Sequence, residues 1–89
     1  MPKRTFLFET YSGQLLTVKP PKYKLYQKLI SEKQNDKEMI AVMAEILSDN
    51  IEGIEITSDY IYENYYIDDI NKFADYISWI KAEKESDPN

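Results

Sequence analysis

Thr5-Phe6-Leu7-Phe8-Glu9-Thr10-Tyr11-Ser12-Gly13-Gln14-Leu15-Leu16-Thr17-Val18-Lys19-Pro20-Pro21 is the stretch on which the reading of the fold turns. Two short runs rich in apolar and β-prone residues flank the turn signal Tyr11-Ser12-Gly13, so residues 5–18 read as a β-hairpin. Two registers compete. A two-residue Ser12-Gly13 turn pairs Phe8 with Thr17 and Phe6 with Lys19. A three-residue loop with Gly13 in the left-handed conformation pairs Phe8 with Leu16 and Phe6 with Val18. The second register gathers four apolar side chains on one face and is the one expected, because side chains alternate with period two. A lone hairpin is marginal in water, so that face must rest on helices or join another sheet.

Pro20-Pro21 ends the hairpin and is expected to open a first helix, since proline is tolerated at the first helical position. Tyr23, Leu25, Tyr26, Leu29 and Ile30 form its apolar face, with Lys22, Lys24, Lys28 and Lys33 around the rest. Gln34-Asn35-Asp36 interrupts, and Asn35 followed by Glu38 resembles a capping box. Met39, Ile40, Met43, Ile46 and Leu47 then keep helical spacing up to Asp49-Asn50, with Gly53 as a joint beyond. Ile51, Ile54 and Ile56 read as a short extended link, and Thr57 or Ser58 caps a short helix through Ile61, Tyr62 and Tyr65. Asp68 or Asp69 caps a last helix with the stripe Ile70, Phe73, Ala74, Ile77 and Ile80. The expected class is mostly α with a small N-terminal β-hairpin (α+β), a compact bundle of about four helices. A single domain is expected over 1–83, with the helical part at 20–82 and a flexible polar tail at 84–89.

The 89 residues suit one domain and contain neither histidine nor cysteine. Imidazole-dependent triads, thiol nucleophiles, disulfides and thiolate metal sites are therefore excluded. Two glycines, Gly13 and Gly53, do not make a phosphate-cradling loop. Glu52, Glu55 and Asp59, or Asp68-Asp69, are the only carboxylate groupings that suggest a hard cation, and their spacing is not that of a calcium loop. Helix capping accounts for Asp68-Asp69 more simply. The expectation is a non-enzyme with no cofactor and no metal. Glu9 and Thr10 cut the first apolar run short of a signal peptide, and no run is long enough to span a bilayer, so a cytoplasmic location and no membrane partner are expected.

Tyrosine is the unusual feature of the composition, with eight in the chain. Tyr60, Tyr62, Tyr65 and Tyr66 crowd the short third helix and cannot all face inward, which suits an interface. On the last helix, at about 100° per residue, Trp79 falls ~180° from Ile70. It shares the outer face with Lys72 and Asp75, while Tyr76 sits on the flank between that face and the core stripe. Trp79, Tyr76, Lys72, Tyr60, Tyr62, Tyr65 and Tyr66 are therefore the candidate protein-binding residues.

With these elements in place, the layout resembles the small tail assembly chaperones of long-tailed bacteriophages. The resemblance covers about residues 5–80 and lies in pattern and order. Gly13-Gln14-Leu15-Leu16-Thr17-Val18-Lys19-Pro20-Pro21 leads into the basic, aromatic Tyr23-Lys24-Leu25-Tyr26. An acidic helix precedes Ile56-Thr57-Ser58-Asp59-Tyr60-Ile61-Tyr62, and an amphipathic helix from Ile70 to Ile80 closes the chain. The tyrosine-rich stretch 60–66 departs from that pattern. The resemblance implies a protein of the host cytoplasm, absent from the mature virion. Such a protein binds the tape-measure protein, keeps it soluble and helps recruit tail-tube subunits, and a longer frameshifted form adds a tube-binding domain. The competing reading is a small acidic inhibitor of the immunity type, with Ser58 to Asp69 blocking a partner's basic site. A DNA-binding regulator using Lys22, Lys24, Lys28 and Lys33 is the weakest reading, since the rest of the chain repels phosphate; no nucleic-acid partner is expected.

Charge is divided unevenly along the chain. Residues 1–37 hold eight Lys/Arg and three acids, a net +5, whereas residues 38–89 hold three Lys and thirteen acids, a net −10. Such a dipole favours head-to-tail association into a homo-oligomer, residues 19–37 of one copy meeting residues 49–69 of the next. Sedimentation at low and high ionic strength tests this expectation: association should fall with salt, and a monomer under both conditions at high concentration refutes it.

Overall fold

The computed structural model describes residues 5–30 and 35–86. The elements run β1 (Phe6–Glu9), β2 (Leu15–Val18), α1 (Tyr23–Leu29), α2 (Asp36–Ser48), α3 (Ser58–Asn64) and α4 (Ile67–Ser86). The protein is thus mixed α+β and mostly helical, an N-terminal antiparallel hairpin followed by four helices. The register is the one that three-residue loop geometry demands: Phe6 faces Val18 and Phe8 faces Leu16. The Thr10 N–H donates to the Gln14 carbonyl at 2.9 Å and the Gly13 N–H to the Thr10 carbonyl at 2.9 Å. Gly13 has φ of 98°, a conformation that a residue with a Cβ adopts only under strain.

Phe8, Leu16 and Val18 are fully buried, and Phe6 packs beside them. Each such burial is worth about 1.5–3 kcal/mol relative to exposure, which is why the hairpin does not stand alone. Helix α2 packs on β2, and α4 packs on β1. Val42, Met43, Ala44, Ile46 and Leu47 of α2, Ile56, Ile61 of α3 and Phe73 and Tyr76 of α4 complete the core. The Asn35 side chain caps α2 by accepting the Glu38 N–H at 2.8 Å, and the Thr57 hydroxyl caps α3 by accepting the Tyr60 N–H at 3.1 Å.

The segment after α2 is more than an extended link. The Lys19 N–H donates to the Asp49 carbonyl and the Ile51 N–H to the Thr17 carbonyl, both at 2.9 Å, making a bridge between Val18 and Asn50. Glu52 finishes this edge of the sheet, its carboxylate accepting the Thr17 N–H and the Thr17 hydroxyl, each at 2.7 Å. Those two bonds, the hydroxyl first, hold the Glu52 carboxyl below the usual carboxylate range. The buried Asn50 side chain donates to the Leu47 and Ile54 carbonyls at 2.7 Å and accepts the Ile54 N–H at 2.9 Å, so the turn carries no unmet polar group there. Ile51 and Ile54 remain exposed, and Ile56 alone of the three reaches the core.

Three further expectations need correction. Pro20 and Pro21 precede α1 rather than open it, because extended Lys22 is its N-cap, and the helix buries only Tyr26, leaving Tyr23 and Ile30 exposed. Lys33 and Gln34 lie outside the described residues. The inner face of α4 is rotated from the expected stripe: Asp69, Phe73 and Tyr76 are buried, Ile70, Ile77 and Ile80 are half-buried, and Ala74 is exposed. In this setting the Tyr76 ring stacks on Phe6 of the hairpin. The stretch expected as a flexible tail from residue 84 is helical to Ser86, and residues 87–89 lie outside the described residues.

Asp69 is not the N-cap of α4 but the third residue of its first turn. It is 1% exposed, and its carboxylate accepts the Tyr66 N–H at the start of α4 and the Tyr11 N–H in the hairpin loop, each at 2.8 Å. Asp69→Asn replaces one acceptor with a donor that faces an N–H. Hydrogen bonds to a charged group contribute about 1.5–3 kcal/mol, and a loss of that size is expected from urea unfolding; a change under about 0.5 kcal/mol would show that the carboxylate is not what holds the loop to the helix.

Candidate protein-binding groove

Alternation along β1 directs Phe6 and Phe8 to the core and leaves Leu7 and Glu9 on the other face. Leu7 is 63% exposed, a large apolar side chain where a polar one is usual. Helix α4 runs beneath this strand. Lys72, Asp75, Tyr76 and Trp79 fall at i, i+3, i+4 and i+7, one line along the helix, and that line meets Phe6, Leu7 and Glu9 across an open groove of about 430 Å³. The Phe6 and Tyr76 rings stack at 4.0 Å and 10°. Trp79 continues the stack outward, 6.1 Å from Tyr76 at 26°. The Lys72 ammonium donates to the Glu9 carbonyl at 2.7 Å and ties the helix to the strand at the groove's end.

Six of the seven candidate residues fall into two clusters, and Tyr62 stands apart from both. Lys72, Tyr76 and Trp79 come together in the groove, with Trp79 46% exposed, as its angular position on the helix implies. Tyr76 is only 4% exposed, which corrects its assignment as an interface flank: it forms the floor, and its partner is Phe6. Tyr60, Tyr65 and Tyr66 gather at the hairpin loop. Tyr65 lies 6.0 Å from Phe8 and 5.9 Å from Tyr60, and Gln14 spans the two phenols, accepting from the Tyr65 hydroxyl at 3.4 Å and donating to that of Tyr60 at 3.5 Å. Tyr66 packs on Tyr11 at 4.7 Å, and both are exposed. Tyr62 stands outward on α3. Sequence reasoning missed Phe6, Leu7, Glu9 and Tyr11, the hairpin's share of both clusters. The misplaced Leu7 was the available signal.

Burial raises the Tyr76 phenol to about 12, and burial first, then the neighbouring Tyr60 and Asp69, push Tyr65 up as well. Among the described residues no three carboxylates gather to hold a metal, and no helix is long and apolar enough to cross a membrane. Lys19 and Asp49 pair within the chain at 3.6 Å, so the basic and acidic halves already meet at one point. Comparison with known proteins finds no matching family model, no similar curated protein and no similar solved structure.

The raised phenol gives a pH test. The folded state holds the Tyr76 proton to about 12, against about 10 in an unfolded chain. The contribution is fully present below about pH 10 and is lost as pH rises through about 12. Urea midpoints should therefore fall between pH 10 and 12, and Tyr76→Phe should reduce that fall; an unchanged fall shows that this phenol is not desolvated.

Proposed function

We propose that this chain is a non-enzymatic assembly factor that binds another protein, and that it acts as a tail assembly chaperone. In that role it covers apolar segments of the tape-measure protein, keeps that client soluble and helps bring tail-tube subunits to it. The observation that carries protein binding is the groove between β1 and α4, where Trp79 and Leu7 stay exposed over a fixed Phe6–Tyr76 floor. Aromatic anchors on a rigid surface are what interface hot spots are made of. The choice of client rests on the order of the elements, hairpin, basic aromatic helix, acidic helix and closing amphipathic helix, which resembles that family. A second reading, an acidic inhibitor, draws on exposed Tyr62, Glu63, Tyr66 and Asp68 at the end of α3 and start of α4. A gene beside those for tail-tube and tape-measure proteins favours the first reading, and a gene beside a toxin favours the second.

Trp79→Gln tests the chaperone. The side chain is nearly half exposed, so stability should change by about 1 kcal/mol or less, whereas an interface aromatic is worth about 2 kcal/mol or more in binding. A tape-measure fragment co-expressed with the wild-type chain should stay soluble and should precipitate with the variant. Equal solubility with both, at equal stability, refutes the role given to this surface.

A further inference from the structure

The two edges of the hairpin are finished differently. Hydrogen-bonding direction alternates along a strand, and the Thr10–Gln14 bond sets the phase: residues 6, 8 and 10 bond inward, so the backbone groups of Thr5, Leu7 and Glu9 point away from β2. On the β2 side the equivalent outward groups are taken by Asp49, Ile51 and Glu52. On the β1 side Asp69 takes the Tyr11 N–H and Lys72 the Glu9 carbonyl, both near the loop. Among the described residues no strand pairs with the rest of that edge, at Thr5, Leu7 and the Glu9 N–H.

We infer that this edge is a site for β-strand addition, taking one extended segment of a partner protein that alternates apolar side chains and carries Lys or Arg. The inference rests on the protein-binding reading and specifies its mode. Strands lie about 4.8 Å apart whereas a helix with its side chains is about 10–12 Å across. Two helices under two strands, α4 on β1 and α2 on β2, therefore give a floor wider than the sheet above it. The groove lies beside β1, where one more strand would be added. Inward side chains of that strand would meet Tyr76 and Trp79, and outward ones would cover Leu7. Charge selects further: Glu9 and Asp75 flank the lane, two carboxylates against the one ammonium of Lys72, which is turned toward the Glu9 carbonyl. A basic residue in the added strand complements that rim. A second copy of this chain fits poorly, because its β1 brings its own α4 into space that α4 already fills.

The probe is a capped synthetic peptide, Lys-Val-Thr-Val-Thr-Val-Lys, titrated against the full chain by calorimetry and amide NMR. Binding with shifts at Thr5, Leu7 and Glu9 amides is expected. N-methylation of every second peptide amide should weaken binding by roughly tenfold in one phase and little in the other, since only one set of amides faces β1. Leu7→Pro removes an outward donor without touching the β1–β2 ladder and should weaken binding more than Leu7→Ala, which keeps that donor and removes only side-chain contact. Should Leu7→Pro fail to fold, the N-methyl phase dependence decides by itself. No binding, or binding indifferent to the methylation phase, overturns strand addition. In the second case, loss of binding on Trp79→Gln leaves the protein-binding reading standing without it. A dimer abolished by Leu7→Pro in sedimentation overturns the choice of occupant.

Discussion

A buried carboxylate on two backbone N–H groups sets the relation between the hairpin and the longest helix. Asp69 accepts from Tyr66, at the start of α4, and from Tyr11, 58 positions earlier in the chain. A carboxylate taken out of water is costly unless its oxygens find donors, so arrangements that move the loop off the helix leave a charge unmet. With the loop pinned, α4 runs under β1 in one rotational setting. That setting stacks Tyr76 on Phe6, aims Lys72 at the Glu9 carbonyl and leaves Trp79 on the outer shoulder. The groove is a consequence of this geometry.

How much of this was legible depended on the range of the interaction. The hairpin register followed from Gly13 and the parity of four apolar residues, all within 13 positions. The caps at Asn35 and Thr57 are equally local, each bonding an N–H three residues ahead. Trp79 was placed outside by angular arithmetic on one helix. What failed was contact between distant segments. Neither Asp68 nor Asp69 is the N-cap: both lie in the first turn, and the long-range Tyr11 N–H that Asp69 accepts beside the local Tyr66 N–H has no trace in the helical pattern. Ala74 fits an apolar stripe in sequence, yet a methyl gains little from burial beside a tyrosine ring that has Phe6 to stack on. The Asn50 bridge was hidden because Thr17 and Glu52, which complete it, lie 35 positions apart.

The unequal edges bear on how so small a domain combines stability with an open groove. Unpaired strand edges invite aggregation, and proteins commonly blunt them with charge, short strands or a covering loop. The β2 edge is covered by residues 49–52. At β1 the strand is four residues long, Lys72 and Asp69 cover its loop end, and Glu9 and Asp75 place charge beside the rest. What stays open is lined by Phe6, Leu7, Tyr76 and Trp79, with Glu9, Lys72 and Asp75 beside them. Because Tyr76 is already buried and stacked, a partner meeting this floor need not order it, and less conformational entropy is lost on binding. Stability comes from the inner faces of the same strand and helix, through Phe6, Phe8, Phe73 and Tyr76, while Leu7 and Trp79 project from their outer sides. The groove can therefore change its outer residues without opening the core, a division that alternation along β1 and the 100° step of α4 build into neighbouring positions.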